Sequence, residues 1–190
     1  MRFSPGYVKD YFAKTKYKTI FIWIVEIVLV IVLAAGVSYF FGKSVVVQEG
    51  SMEPTLKAGD RVLINSAVYK LSSPKRGDVI VHRTSRNDKS SLHIKRIIGL
   101  PGETVQIKNG KILVDGKRYK EAREYPKIKN PGMAESSVKL KSGEYFVLGD
   151  NRNNSEDSRY TDVGNIKKKN IIGRLWFVIS PKNRIGILKN

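Results

Sequence analysis

Three short blocks of this chain hold residues that could carry out acyl transfer. The first is Gly50-Ser51-Met52-Glu53-Pro54-Thr55-Leu56, a serine in a Pro-containing turn between two predicted strands. A hydroxyl attacks a carbonyl well only when a neighbouring base takes its proton. The second block offers such a base: Lys95, set between Ile94 and the apolar pair Ile97-Ile98 at the end of a predicted strand. Burial there disfavours the ammonium and lowers the pKa, leaving an amine able to accept the serine proton. The third block runs from Gly149-Asp150-Asn151-Arg152 through Ser155-Glu156-Asp157-Ser158-Arg159. Its turn formers and alternating charges predict a rigid, internally hydrogen-bonded loop. Arg159 and Arg152 can fork onto Asp157 or Asp150, and Ser155 can then aim a hydroxyl at the lysine.

Other chemistries find little support. There are no cysteines, so disulfides and thiolate sites are excluded; with only two histidines, His82 and His93, a multi-histidine metal site is not expected, nor is any metal or cofactor. His93 lies two residues before Lys95, on the same strand face, and is read as structural, as is His82. The formal net charge is +18, yet no zinc-finger spacing, basic heptad or aromatic-basic RNA motif accompanies it, so no nucleic-acid partner is expected.

The elements that must position these blocks begin with an apolar run at 20–41, where Glu26 and Ser38 are the only clearly polar residues. As a helix it spans about 33 Å, enough for a hydrocarbon core of about 30 Å. A cleavable signal peptide has an apolar region of only about 7–15 residues, so the length predicts a retained anchor. Arg2, Lys9, Lys14, Lys16 and Lys18 against Asp10 give residues 1–18 a net charge of +4. The expected division is a cytoplasmic tail at 1–18, a transmembrane helix at 19–41 and an extracytoplasmic domain at 42–190. Trp23, Tyr39, Phe40 and Phe41 read as interface anchors. Residues 43–190 carry +15, which fits attraction to anionic lipid headgroups.

Beyond the anchor the pattern is β. Short β-branched or aromatic runs at 45–48, 61–65, 78–83, 93–98, 104–107, 111–114, 145–148 and 172–179 predict strands. Asn109-Gly110 and Asp115-Gly116 predict hairpin turns. With no long helical patterns between strands, the fold class is mainly β: an antiparallel sheet system with one N-terminal transmembrane helix. Residues 119–141, polar and basic with Pro126 and Pro131, read as an irregular excursion or small subdomain.

Taken together, the blocks resemble the bacterial type I signal peptidases, membrane-bound Ser–Lys endopeptidases, in their single-anchor Gram-positive form. The matching residues are Ser51-Met52-x-Pro54-Thr55-Leu56, Arg76-Gly77-Asp78-Val79, Lys95-Arg96-Ile97-Ile98-Gly99-x-Pro101-Gly102, Gly149-Asp150-Asn151-Arg152 and Ser155-x-Asp157-Ser158-Arg159. The resemblance implies Ser51 as nucleophile and backbone oxyanion donor, and Lys95 as general base. Ser155 would orient the lysine, and Asp157 paired with Arg159 would support it. Substrates would be preprotein signal peptides cut after small residues of Ala-x-Ala type; Met52 and Ile94 are candidates to line the pockets, with plain core packing the equal alternative. One departure stands out: where some members carry a small residue, this chain has Glu49, followed by Gly50. A carboxylate beside a developing oxyanion must turn away or be protonated, with Gly50 giving the backbone freedom to rotate it, and the second oxyanion donor is left unassigned. Two alternatives compete: a specialised or non-catalytic paralogue acting in surface-protein assembly, and a soluble self-cleaving repressor, which the apolar run disfavours.

Overall fold

The computed structural model describes residues 5–41, 43–83 and 92–188. Arg2 lies outside the described residues, as do the side chains of Lys9, Lys14, Lys16, Tyr39, Phe40 and Phe41. The chain forms two units, Met1–Phe40 and Phe41–Asn190.

The first unit is one helix, α1 (Pro5–Phe41), which starts well inside the stretch read as a tail. Within it Tyr17–Gly36 is long and apolar enough to cross a membrane. Isoleucine and valine are mediocre helix formers in water; in hydrocarbon a helix prevails because each backbone polar group must be paired within the segment. The apolar residues cover all faces and are exposed, as lipid-facing side chains are.

The second unit is built on antiparallel strands: β1 (Lys43–Val46), β2 (Arg61–Asn65), β3 (Val79–Arg83), β4 (Leu92–Gly99), β5 (Thr104–Lys108), β6 (Lys111–Val114), β7 (Lys117–Arg118), β8 (Val138–Lys139), β9 (Glu144–Leu148), β10 (Ile166–Lys167), β11 (Ile171–Ser180) and β12 (Gly186–Ile187). The larger sheet has the order β1-β2-β11-β3-β4-β9-β10, with β12 pairing on β11. The smaller has the order β7-β6-β5-β8. Asn109 and Gly110, like Asp115 and Gly116, all take positive φ, the double left-handed turn that matches the twist of a two-residue hairpin. Residues 119–141 are mostly irregular, apart from the 3-10 turn Gly132–Glu135 and β8.

Alternation along the strands sorts side chains between cores. Val79 and Val81 of β3 join Met52, Leu56, Val62 and Ile94 on one face. Ile80, Ile97 of β4, Val147 of β9 and Tyr145 pack on the other. The smaller lobe has its own core of Val105, Ile107, Ile112, Leu140 and Phe146, closed by Ile98 and Leu148. Strand β4 is therefore covered on both faces, and Lys95, opposite Ile80 in the register, is 1% exposed. A lysine at that depth is costly unless it does something.

His82 sits opposite His93 in the same register and is fully buried. Burial pushes its pKa down to about 4. An unfolded histidine takes up its proton near pH 6.5, so between these values the unfolded chain binds the extra proton. Stability is then complete above the upper value and falls by about 3 kcal/mol as pH drops to the lower one. Replacing His82 by leucine should flatten the urea-unfolding stability of the detergent-solubilised chain between pH 6.5 and 4; an unchanged slope would reject this role for the histidine.

Candidate active site

Ser51 occupies a 3-10 turn, Gly50–Met52, at the end of the segment leaving β1. Val47 before it and Met52 and Leu56 after it are sunk in one core, which fixes the turn from both ends. Arg184 binds the Thr55 carbonyl at 2.8 Å and the Asp60 carboxylate at 3.0 Å, holding the far end of the same loop. Ser51 is 8% exposed, and its Oγ lies 2.8 Å from Lys95 Nζ, within hydrogen-bond distance. Burial pulls the Lys95 pKa below the ordinary lysine value, while the carboxylates of Glu49, Asp157 and Glu156 act in the opposite sense. A largely desolvated amine touching a serine hydroxyl is the arrangement a Ser–Lys proton transfer requires.

The loop from Gly149 to Arg159 forms the back wall. Asp157 accepts from the Gly149 N–H at 3.0 Å and from Arg159 Nε and Nη2 at 2.7 and 2.9 Å. Arg159 also donates to the carbonyls of Asn130 and Ser155. Asp150 does not take Arg152 as partner. Its fork is Arg96 of β4, at 2.7 and 2.6 Å, whereas Arg152 pairs with Glu121 and lies over the Tyr125 ring. The reason is strand geometry: Arg96 leaves β4 on the face opposite Lys95, beneath the loop, so one strand supplies both the amine and an anchor for its wall.

Three findings were not anticipated from sequence. Asn151 accepts nothing from the serine but grips its turn, donating from its backbone N–H to the Ser51 carbonyl (3.0 Å) and from its side chain to the Gly50 carbonyl (3.1 Å). It stood inside a matching block, read only as a turn former. Ser155 does not hold the lysine: among the described residues its buried Oγ has no hydrogen-bond partner. It packs instead on Gly149, where a methyl group would collide with both Ser155 Oγ and the Ser51 carbonyl. Glu49 turns toward the lysine, with Oε2 3.7 Å from Lys95 Nζ and Oε1 3.4 Å from His93 Nδ1. It does so with ordinary extended backbone angles, and Gly50 adopts no left-handed conformation.

Beside Ser51 lies a depression of about 10 Å³ lined by Val46, Val47, Gln48, Glu49, Ser51, Met52, Leu92 and Ile94. Met52 forms its floor as part of the core, and Ile94 is 7% exposed.

An antiparallel β domain that brings a buried lysine amine to a serine hydroxyl has the arrangement of the serine peptidases of the dyad class. Residues 20–180 match the family described as signal peptidase, peptidase S26. Over 178 residues the chain is 38% identical to signal peptidase I of Bacillus amyloliquefaciens, covering 90% of this chain and 94% of that one. It is 36% identical over 181 residues to signal peptidase I P of Bacillus subtilis subsp. natto (90% and 95%), and 39% identical over 167 to signal peptidase I of Leptolyngbya laminosa (84% and 79%). A solved signal peptidase I from Enterococcus faecalis V583 aligns with 55% of this chain and 97% of its own, at 34% identity and TM-score 0.44. The chain belongs to the signal peptidase family, peptidase S26, and is a serine endopeptidase of that family.

Because Asp157 is wholly buried, removing its cation strands a charge. Arg159→Met should lower unfolding stability by about 3–5 kcal/mol, the range seen when one member of a buried pair is deleted. Urea unfolding measures it; a loss under 1 kcal/mol would show that the pair does not hold the loop.

Proposed function

We infer that this signal peptidase removes signal peptides from preproteins with Ser51 as nucleophile and Lys95 as general base. The observation that carries the reading is the 2.8 Å approach of a buried lysine amine to a buried serine hydroxyl, in a chain of this family. Lys95 Nζ takes the proton from Ser51 Oγ as the oxygen bonds to the scissile carbonyl carbon. The resulting ammonium gives that proton to the leaving amine, and a water activated by the same amine then releases the acyl group. The Ser51 N–H supplies one donor to the oxyanion, a contribution of about 3–4 kcal/mol where such donors have been removed elsewhere. The specialised or non-catalytic alternative is not favoured, since the relatives named above are all signal peptidases I.

Specificity in this reading comes from the smaller of two depressions at Ser51. The depression of about 10 Å³ against Met52 and Ile94 holds roughly one water-sized group, which suits an alanine methyl, while a wider space of about 440 Å³ opens on the other side of Ser51 toward Asn153 and Tyr160. Two strand edges flank the depression. Among the described residues β1 pairs only with β2, and the start of β4, before Arg96, pairs only with β3. An extended peptide laid between them gains main-chain hydrogen bonds and directs alternate side chains inward, which suits an Ala-x-Ala boundary. Met52 and Ile94 are the contact residues in this reading.

In this topology the basic N-terminal end of α1 stays in the cytoplasm and the peptidase domain faces outward, its +15 charge drawn to anionic headgroups. The anchor holds the site where signal peptides insert, so effective concentration stands in for tight binding.

Purified enzyme in detergent should cut a preprotein carrying an Ala-x-Ala site, and Ser51→Ala and Lys95→Ala should each reduce cutting by at least about 10³-fold while the protein stays folded. Substantial cleavage by either variant would remove the dyad assignment.

A further inference from the structure

Glu49 is half exposed, and a surface carboxylate ordinarily points into water. Here both of its oxygens point inward, one to Lys95 and the other to His93. The convergence is written into the strand: residues 93 and 95 of β4 project from the same face, and Glu49 is the residue that leads the chain into the Ser51 turn. Serine, lysine, carboxylate and imidazole thus form a contiguous group. A pocket of about 190 Å³ beside it is lined by Glu49, His82, His93, Lys95, Glu156 and Asp162.

An ammonium has three protons to place. When Lys95 has taken the proton of Ser51, one N–H faces the reacting oxygen and later the leaving amine. Ser155 Oγ does not reach the remaining ones, being turned against Gly149. Among the described residues Glu49 Oε2 is the carboxylate oxygen within ion-pair distance, and His93 steadies the same carboxylate from its other oxygen. Resting on the Ser51–Lys95 reading, we propose that Glu49 is a positioning residue for the reaction: held by His93, its carboxylate orients the Lys95 amine and stabilises the ammonium that forms during attack.

The other groups facing Lys95 do not substitute for it. From β3 comes His82, neutral and buried. From the loop come Asp157, whose charge is committed to Arg159, and Glu156, which among the described residues makes no ion pair with Lys95 as Glu49 does. Asp162 lines the pocket but has a partner of its own.

The carboxylate has two opposed effects, which a single pH cannot separate. It favours the ammonium, so the amine is freed only at a higher pH than the same dry site would otherwise allow. It also favours proton transfer once the amine is free, because the product of that transfer is the charge it faces. Neutralising it should therefore extend activity to lower pH and depress the plateau.

The experiment is the pH dependence of preprotein cleavage by the full chain in detergent, comparing wild type with Glu49→Gln and Glu49→Asp. For Glu49→Gln the acid limb of kcat should move down by about one pH unit, the low end of the effect of a nearby opposite charge, and the plateau should fall about tenfold. Glu49→Asp should restore part of both. A merely structural role would lower amounts or stability and leave the limb in place; an unmoved limb with an active enzyme overturns the proposal and leaves the dyad standing. Should wild type cut nothing at any pH, the dyad reading fails first. Glu49 is then judged by NMR titration of the ¹³Cε-labelled Lys95 in a Ser51→Ala background, with and without Glu49→Gln. A downward shift on neutralising Glu49 supports the contact, and coincident curves refute it.

Discussion

Everything in the peptidase domain answers to one demand, that an amine stay dry next to a hydroxyl. In water a lysine near neutral pH is almost wholly ammonium and useless as a base. The chain meets the demand by placing Lys95 on a central strand covered on both faces, opposite Ile80 and one residue before Arg96. Burial alone would leave the amine unoriented. Orientation comes from Ser51 Oγ ahead of it and Glu49 alongside.

The serine is fixed by different means, which is why the two groups can meet at 2.8 Å from positions 44 residues apart. Its turn is nailed down by apolar side chains fore and aft and gripped through its carbonyls by Asn151. Asn151 belongs to a loop that hangs from β4 by the Arg96–Asp150 fork and is braced internally by Arg159 and Asp157. Positions of serine and lysine are thus both referred to the same strand. Small errors in the rest of the fold do not accumulate between them, a useful property where an ångström of misplacement costs rate steeply.

How much of this was legible in the residues depended on the range of the interaction. The hairpins at Asn109-Gly110 and Asp115-Gly116 are local steric facts, and both turned out as read. Seven of the eight longer strands lie within a residue of their expected limits, and β1 is displaced by two, because runs of β-branched and aromatic residues mark a strand locally. The two-residue strands β7, β8, β10 and β12 carry no such pattern and exist only because a neighbour supplies hydrogen-bond partners. Side-chain pairing was harder. Arg159 and Asp157 are two apart and could be matched by proximity, whereas Asp150 finds Arg96 from 54 positions away. In the sequence Glu49 stands only beside the Ser51 turn, and its closeness to His93 and Lys95 exists only after β4 is folded against that turn.

The ion pairs that brace the loop are sealed from solvent: Asp150, Asp157, Arg96 and Arg159 are each 3% exposed or less. The net positive charge of the domain, by contrast, is spread over its surface. Counterions reach the second set and not the first, given a screening length of about 10 Å at 0.1 M salt. Ionic strength therefore acts on this protein as a selective solvent variable. Salt screens the field of the basic surface while the architecture around Ser51 keeps its shape, so the domain's long-range electrostatics and its site geometry respond independently to the salinity of the medium.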